Sequence, residues 1–258
     1  MTPSAAREPQ VAGLAADRRF VRNRVAATAS IEAAAGPGGV TRLPVLASQV
    51  PLVLRRAPDS VYLVGGAAGP LGGDSLALHI TVGAGAFLRV RTAAASIALP
   101  GLDGLESVLR VSATVEEGGR LEYLPEPLVV AAGARHAIII SVTLSAGASL
   151  VLRDEVLLGR HGECGGTARS ALRVSYAGRP LLRQSLEISG TDPASLGPAV
   201  LAGHRAVGTL LHVSEPDTAG IPAQATPEVA VMRLAGPGIL VTALAHDAVT
   251  LRRRLTSP

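Results

Sequence analysis

Val82-Gly83-Ala84-Gly85-Ala86-Phe87-Leu88, Val115-Glu116-Glu117-Gly118-Gly119-Arg120-Leu121 and Leu144-Ser145-Ala146-Gly147-Ala148-Ser149-Leu150 are three copies of one pattern. Each closes a strand candidate on an aliphatic residue, places a glycine three positions on, and reaches a leucine three after that. The aligned glycines, Gly85, Gly118 and Gly147, sit 33 and 29 residues apart. A glycine there supplies the positive φ that a tight turn needs. Units of this length stack so that each covers the apolar face of the next. The expected fold is therefore mainly β, built of stacked antiparallel β-hairpin or β-helix-like layers, each repeat reading strand, turn, strand.

Working outward, the same periodicity continues. Ile138, Ile140, Val142 and Leu144 alternate with Ile139, Ser141 and Thr143; Leu172, Val174 and Tyr176 alternate with Arg173 and Ser175. Leu182, Leu186 and Ile188 oppose Arg183, Ser185 and Glu187. These are half-buried strands. Upstream, residues 45–54 and 61–64 are further strand candidates. Asp192-Pro193 is a helix start that Gly197-Pro198 soon ends. At the C-terminus Leu240, Leu244, Ala248, Leu251 and Leu255 make an apolar stripe that predicts a helix near 239–255, with Arg252–Arg254 at the negative end of its dipole. Residues 1–43 read as a flexible or weakly ordered leader and 44–258 as a single β-rich domain that includes this helix.

Composition narrows the function. All 24 basic residues are Arg, with no Lys, which excludes a Schiff-base lysine and the lysine of a phosphate-binding loop. Net charge is only +4 and aromatics are 2%, so neither a basic stripe nor a stacking platform for nucleic acid is present. The one cysteine, Cys164, excludes an internal disulfide and fits a reducing compartment. No apolar run approaches the roughly 20 residues of a membrane span, and the charged N-terminus does not read as a signal peptide. The expectation is a cytoplasmic protein without membrane or nucleic-acid partners. No Gly-x-Ser-x-Gly elbow or Gly-x-Gly-x-x-Gly loop occurs, and no acid, base and nucleophile converge, so the chain is read as a non-enzyme.

Two loops carry the remaining chemistry. Gly69-Pro70-Leu71-Gly72-Gly73-Asp74 delivers one carboxylate, Asp74, to the mouth of an alternating strand. His161-Gly162-Glu163-Cys164 gathers imidazole, carboxylate and thiol within four residues of a Gly-rich loop. Each also reads as a plain turn or surface loop with incidental polar groups. The six histidines are scattered and no preformed metal cage is expected.

The Gly-Gly-Asp string Gly72-Gly73-Asp74 resembles a segment of the UreD (UreH) family of urease accessory proteins. Four later stretches resemble the same family in the same order: Leu121-Glu122-Tyr123-Leu124-Pro125, with Tyr for Trp; Leu158-Gly159-Arg160 followed by Gly162-Glu163; Gly178-Arg179-Pro180-Leu181-Leu182; and Val207-Gly208-Thr209-Leu210-Leu211. The sequence departs from the family at Thr92-Ala93-Ala94-Ala95-Ser96-Ile97-Ala98-Leu99-Pro100, which lacks the Lys, aromatics and Arg of the family's loop. The resemblance implies a metallochaperone scaffold that binds apo-urease and the F accessory protein, and through it the G GTPase, and that assists nickel insertion. It implies no tightly bound cofactor, with nickel in transit. Asp74 and Glu163, with His161 and Cys164 beside the latter, are the candidate contacts on that route; Gly72, Gly73, Gly159, Arg160, Gly208 and Thr209 are its structural motif residues. A β-repeat interaction module with no metal role is the alternative.

Overall fold

In the computed structural model, which describes residues 24–215 and 223–257, the chain winds as a β-solenoid of about four turns. Entry is through β1 (Ala26–Ala35), β2 (Thr41–Ala47), β3 (Leu52–Arg56) and β4 (Val61–Gly65). The coils follow: β5 (Ser75–Val82), β6 (Phe87–Thr92) and β7 (Ser96–Ala98); then β8 (Ser107–Val115), β9 (Arg120–Leu124) and β10 (Leu128–Val130); then β11 (Arg135–Leu144) and β12 (Ser149–Leu158). β13 (Thr167–Tyr176) and β14 (Arg179–Ser189) form the closing hairpin. After α1 (Pro193–Leu196) come β15 (Ala206–Val213), β16 (Gln224–Ala225), β17 (Val229–Arg233), β18 (Ile239–Ala245) and α2 (Ala248–Thr256).

One sheet runs β14-β13-β11-β8-β5-β1-β2 and the other β16-β17-β18-β15-β12-β9-β6-β4-β3. Successive coils pair in parallel, β5 with β8, β8 with β11 and β11 with β13 on the first sheet, and β4 with β6, β6 with β9 and β9 with β12 on the second. The three Gly repeats are thus corners between sheets and not hairpins within one, which corrects the antiparallel part of the sequence reading while the stacked β-layer reading holds. The corners stack by their own backbones: Gly85 N donates to Glu117 O at 3.1 Å, and Ser149 N to Gly119 O at 2.9 Å. Gly85, Gly118 and Gly147 have φ of 63°, 65° and 72°. A side chain resists that region, which explains why the repeat keeps glycine there.

Equal strand spacing puts like residues on one rung. Leu78, Val111, Ile140 and Leu172 line up on the first sheet, and Val90, Tyr123, Leu152 and Leu211 on the second, all buried and directed into the space between the sheets. Each such aliphatic residue contributes about 1.5–3 kcal/mol by leaving water. With aromatics this scarce, the core depends on many such rungs.

Two boundaries differ from expectation. Strand β1 begins at Ala26, inside the stretch read as a leader, because Ala27, Ala29, Ile31 and Ala33 alternate inward with side chains too small for a sequence pattern to weigh; residues 1–23 lie outside the described residues. The C-terminal stripe divides into strand β18 and helix α2, with Asp247 between them capping the helix by accepting from Thr250 N at 2.8 Å. Leu251 and Leu255 of α2 settle over Gly208 of β15, where an added Cβ would stand 2.8 Å from Leu255 Cδ1. The short helix at Pro193 is where the sequence places it, capped by Asp192. Among the described residues, no helix is long and apolar enough to cross a membrane.

Candidate functional site

Asp74 is 3% exposed, and both its oxygens are engaged. Oδ1 accepts from Val25 N and Oδ2 from Leu71 N, each at 2.9 Å. Leu71 belongs to the turn that Asp74 closes, whereas Val25 lies 49 residues back, so the carboxylate ties the start of β1 to the turn before β5. Gly72 is required because its backbone lies against another loop: a Cβ there would stand 2.5 Å from Gly101 N and 2.6 Å from Leu105 O. Gly73 follows at φ 93°.

Glu163 closes the second loop. Its Oε2 accepts from Arg160 N at 3.0 Å and Arg160 Nε at 2.7 Å, and its Oε1 from Ala132 N at 2.7 Å. The Arg160 guanidinium, and then the Ala132 amide, hold this carboxyl down at about 2. Gly159, at φ 74°, allows the loop to fold back on itself, and Arg205 Nη2 donates to the carbonyls of Gly159 and Arg160. His161 and Cys164 are exposed. The structure therefore gives Asp74 and Glu163 separate partners in separate loops. Among the described residues no three His, Cys, Asp or Glu side chains gather as a metal cage.

A different set of polar groups meets between the sheets. A cavity of about 510 Å³ is bounded by Leu76, Leu109, Ile138 and Ile140 of the first sheet and by Leu52, Leu63 and Tyr123 of the second. Its rim is formed by Gly65, residues 67–70 and residues 92–97, the last within the stretch that departs from the family pattern. Asp154 of β12 lines it. Along β12 the inward positions read Leu150, Leu152, Asp154, Val156, Leu158, so this is a carboxylate in an aliphatic row. Asp154 Oδ2 accepts from Ser170 Oγ of β13 at 2.6 Å, joining the two sheets across the interior. Burial pushes its carboxyl up, against the opposing effect of the Ser170 hydrogen bond. Thr209 pairs with it across β15 and lines a small adjoining space that Asp154 also borders.

His136 adds a second group. It is 1% exposed and lies on one rung with Ser107, whose Oγ is 2.8 Å from Nδ1. Among the described residues its Nε2 has no hydrogen-bond partner, and the residue lines the same cavity. Burial lowers its pKa to about 4, so the ring is neutral at physiological pH. Tyr123, in the position where the family motif carries Trp, is pushed upward by burial.

Glu126 and Glu155, also on the cavity, are fixed from outside. Arg252 of α2 donates from Nε to Glu155 Oε1 at 2.7 Å and from Nη2 to Glu126 Oε2 at 3.2 Å. Arg252 thus does more than answer the helix dipole: it fastens α2 to the second sheet.

A sequence model described as the UreD urease accessory protein matches residues 26–257. The chain belongs to the UreD family. It is 45% identical to the urease accessory protein UreD of Parafrankia sp. (strain EAN1pec), covering 100% of this chain and 94% of that protein. To UreD of Frankia alni it is 46% identical, covering 93% and 94%, and to UreD of Streptomyces coelicolor 44%, covering 91% and 96%. Membership agrees with the family resemblance and with the reading as a non-enzyme, since UreD proteins are accessory chaperones. All five stretches that carried the resemblance fall on places where UreD geometry is tight: the Asp74 turn, the buried Tyr123 strand, the Glu163 loop, the β13–β14 hairpin and strand β15. Sequence reasoning missed Asp154 and His136. The signal for Asp154 was present, as an acid at the parity of Leu150, Leu152, Val156 and Leu158; for His136 there was only the same parity with Ile138 and Ile140.

Proposed function

We propose that this UreD chain is the scaffold of a pre-activation assembly that binds apo-urease and, through the F accessory protein, the G GTPase, and that nickel reaches urease by way of the cavity between the sheets. GTP hydrolysis belongs to the G partner. The observation that carries the route is the inward carboxylate Asp154 on a cavity wide enough for a hydrated ion. Six waters at about 30 Å³ each take about 180 Å³, well within the 510 Å³ present. One oxygen ligand, with the rest of the shell left as water, holds a divalent ion weakly and lets it go. Burial raises the pKa of Asp154 because a bare charge is disfavoured there, so an arriving cation supplies the countercharge that the empty cavity lacks. Neutral His136 offers a borderline donor that suits nickel better than magnesium.

In this proposal the transit role expected of Asp74 and Glu163 passes to Asp154. The two loop carboxylates hold the frame around the route, and exposed His161 and Cys164 are outside it. The test is urease activation in cells carrying the urease genes and the other accessory genes, with this gene intact, deleted, or bearing Asp154→Asn. Deletion should abolish urease activity and its nickel content. Asp154→Asn should lower both while the variant still co-purifies with urease and the F protein. Full activation without the gene refutes the accessory role; full activation by Asp154→Asn refutes the route alone.

A further inference from the structure

Where β15 begins and β18 ends, two imidazoles lie face to face. His204 precedes β15 and His246 follows β18; the pairing of Ala206 with Ala245, and the bond from Arg205 N to Ala245 O, bring the strand ends together. The ring centroids are 4.4 Å apart with 26° between the planes. Neither α2 nor the Glu163 loop uses these rings. Nothing in the transit reading above requires them.

The hydrogen bonding of His204 fixes its tautomer. Nδ1 is 2.9 Å from Leu201 O, and a carbonyl oxygen only accepts, so Nδ1 carries the proton and Nε2 carries the lone pair. Donation of one ring nitrogen to a backbone carbonyl, leaving the other free, is how proteins orient a metal-binding histidine. Leu201 is itself fully buried and also accepts from His204 N at 2.8 Å, so the acceptor is rigid. His246 is exposed and free to turn about its χ angles. The spacing suits chelation: two imidazoles on adjacent positions of one ion, with metal–nitrogen bonds of about 2.1 Å, have ring centres about 4.5 Å apart. Rotation of the His246 ring opens the interplanar angle without moving the centres. The neighbouring charges are already occupied. Asp247 caps α2 through Thr250 N and Oγ1, and Arg205 is bound by the carbonyls of Gly159 and Arg160.

We propose that His204 and His246 form a surface site for one divalent ion of the nickel, copper and zinc group, with water completing the shell. Imidazole pairs select such borderline ions over magnesium and calcium. Two protein ligands leave open positions through which the ion exchanges or meets a donor from another protein.

The experiment is calorimetric titration of the purified, tag-free chain with NiCl2, with MgCl2 as the comparison ion. The variants are His204→Ala, His246→Gln and, as a control outside the pair, His161→Ala. Histidine ring resonances are followed by NMR during the same nickel additions. The expected result is one equivalent of nickel that broadens both His204 and His246. It should weaken at least about tenfold in either pair variant, survive in His161→Ala, and be absent with magnesium. His246→Gln changes an exposed side chain, so it tests the site even where His204→Ala fails to fold. Undiminished nickel binding by His246→Gln, or equal response to magnesium, overturns the proposal. Because no urease is present, either outcome is independent of the route through the cavity.

Discussion

Removing Arg252 tests whether α2 is held by its charge pair or only by its leucines. The Glu155 side chain is 0% exposed, while Arg252 is 29% exposed and gives it two hydrogen bonds from Nε, at 2.7 and 3.0 Å. Arg252→Met keeps the stem that packs on the sheet and deletes the fork, leaving a buried carboxylate without its main partner. Stripping one member from a buried pair costs about 3–5 kcal/mol. Arg153 Nε lies 3.5 Å from Glu155 Oε2 and offsets part of that loss, which brings the expectation to about 2–3 kcal/mol. In urea unfolding, with a slope of about 2–3 kcal/mol per molar for a domain of this size, the midpoint should fall by about 1 M with the slope unchanged. Arg252→Met combined with Glu155→Gln removes the stranded charge and should recover at least half the loss, a coupling that a double-mutant cycle reads directly. A drop under about 0.5 M urea for the single variant, or no recovery in the double, refutes the reasoning. The first outcome would mean that Leu251 and Leu255 alone seat the helix.

Two further outcomes follow from the turn at Asp74 and from the buried imidazole. Gly72→Ala forces a methyl to within 2.6 Å of backbone on the facing loop and should cost about 2–3 kcal/mol in the same urea assay, whereas Gly85→Ser, where none of the described residues lies within 4 Å of the added Cβ, should cost only the price of its positive φ, about 1 kcal/mol. His136, folded with a pKa of about 4 against about 6.5 unfolded, leaves the unfolded chain binding more protons between those values. Stability therefore falls as pH drops from 6.5 toward 4, by up to roughly 3 kcal/mol, and His136→Gln should flatten that part of the stability–pH curve; an unchanged slope contradicts a neutral buried ring.

The legible and illegible parts of this chain separate by physical cause. Repeats such as Val82 to Leu88 were legible because solenoid corners impose a fixed offset between aliphatic residue, glycine and leucine. Parallel stacking was not, since a corner into a second sheet and a hairpin within one sheet both want a tight glycine turn, and the residue pattern is the same. Strand β1 was hidden because its inward residues are mostly alanine, whose burial leaves little hydropathy contrast. The 239–255 stripe misled because Leu240 and Leu244 sit at spacing four, which satisfies both an α-helical stripe and alternate positions of a strand; Asp247 was the cue to divide it. Asp74 and Glu163 stood out by motif, yet a motif marks constraint without naming its kind. Their oxygens are consumed by backbone amides and Arg160, which is a reason to keep them that involves no ion.

The cavity follows from how a solenoid fills its interior. Where rungs such as Leu88–Leu121–Leu150 face Ile80–Ala113–Val142 the two sheets close on each other, because every inward position is aliphatic. Toward the other end of the coils the inward rows reach Asp154, Thr209, Ser107 and His136, polar groups that need partners or space and do not interdigitate as leucines do. The rim there is Ala93, Ala94 and Ala95, side chains too short to fill the opening, at the very stretch where the family pattern carries Lys, aromatics and Arg. The alanines themselves carry no charge, and the charged group beside them is Glu126, whose backbone N donates to Thr92 Oγ1 and whose carboxylate is held by Arg252. Under the transit reading, selectivity then resides in the interior carboxylate and imidazole, and delivery to the mouth falls to the partner proteins.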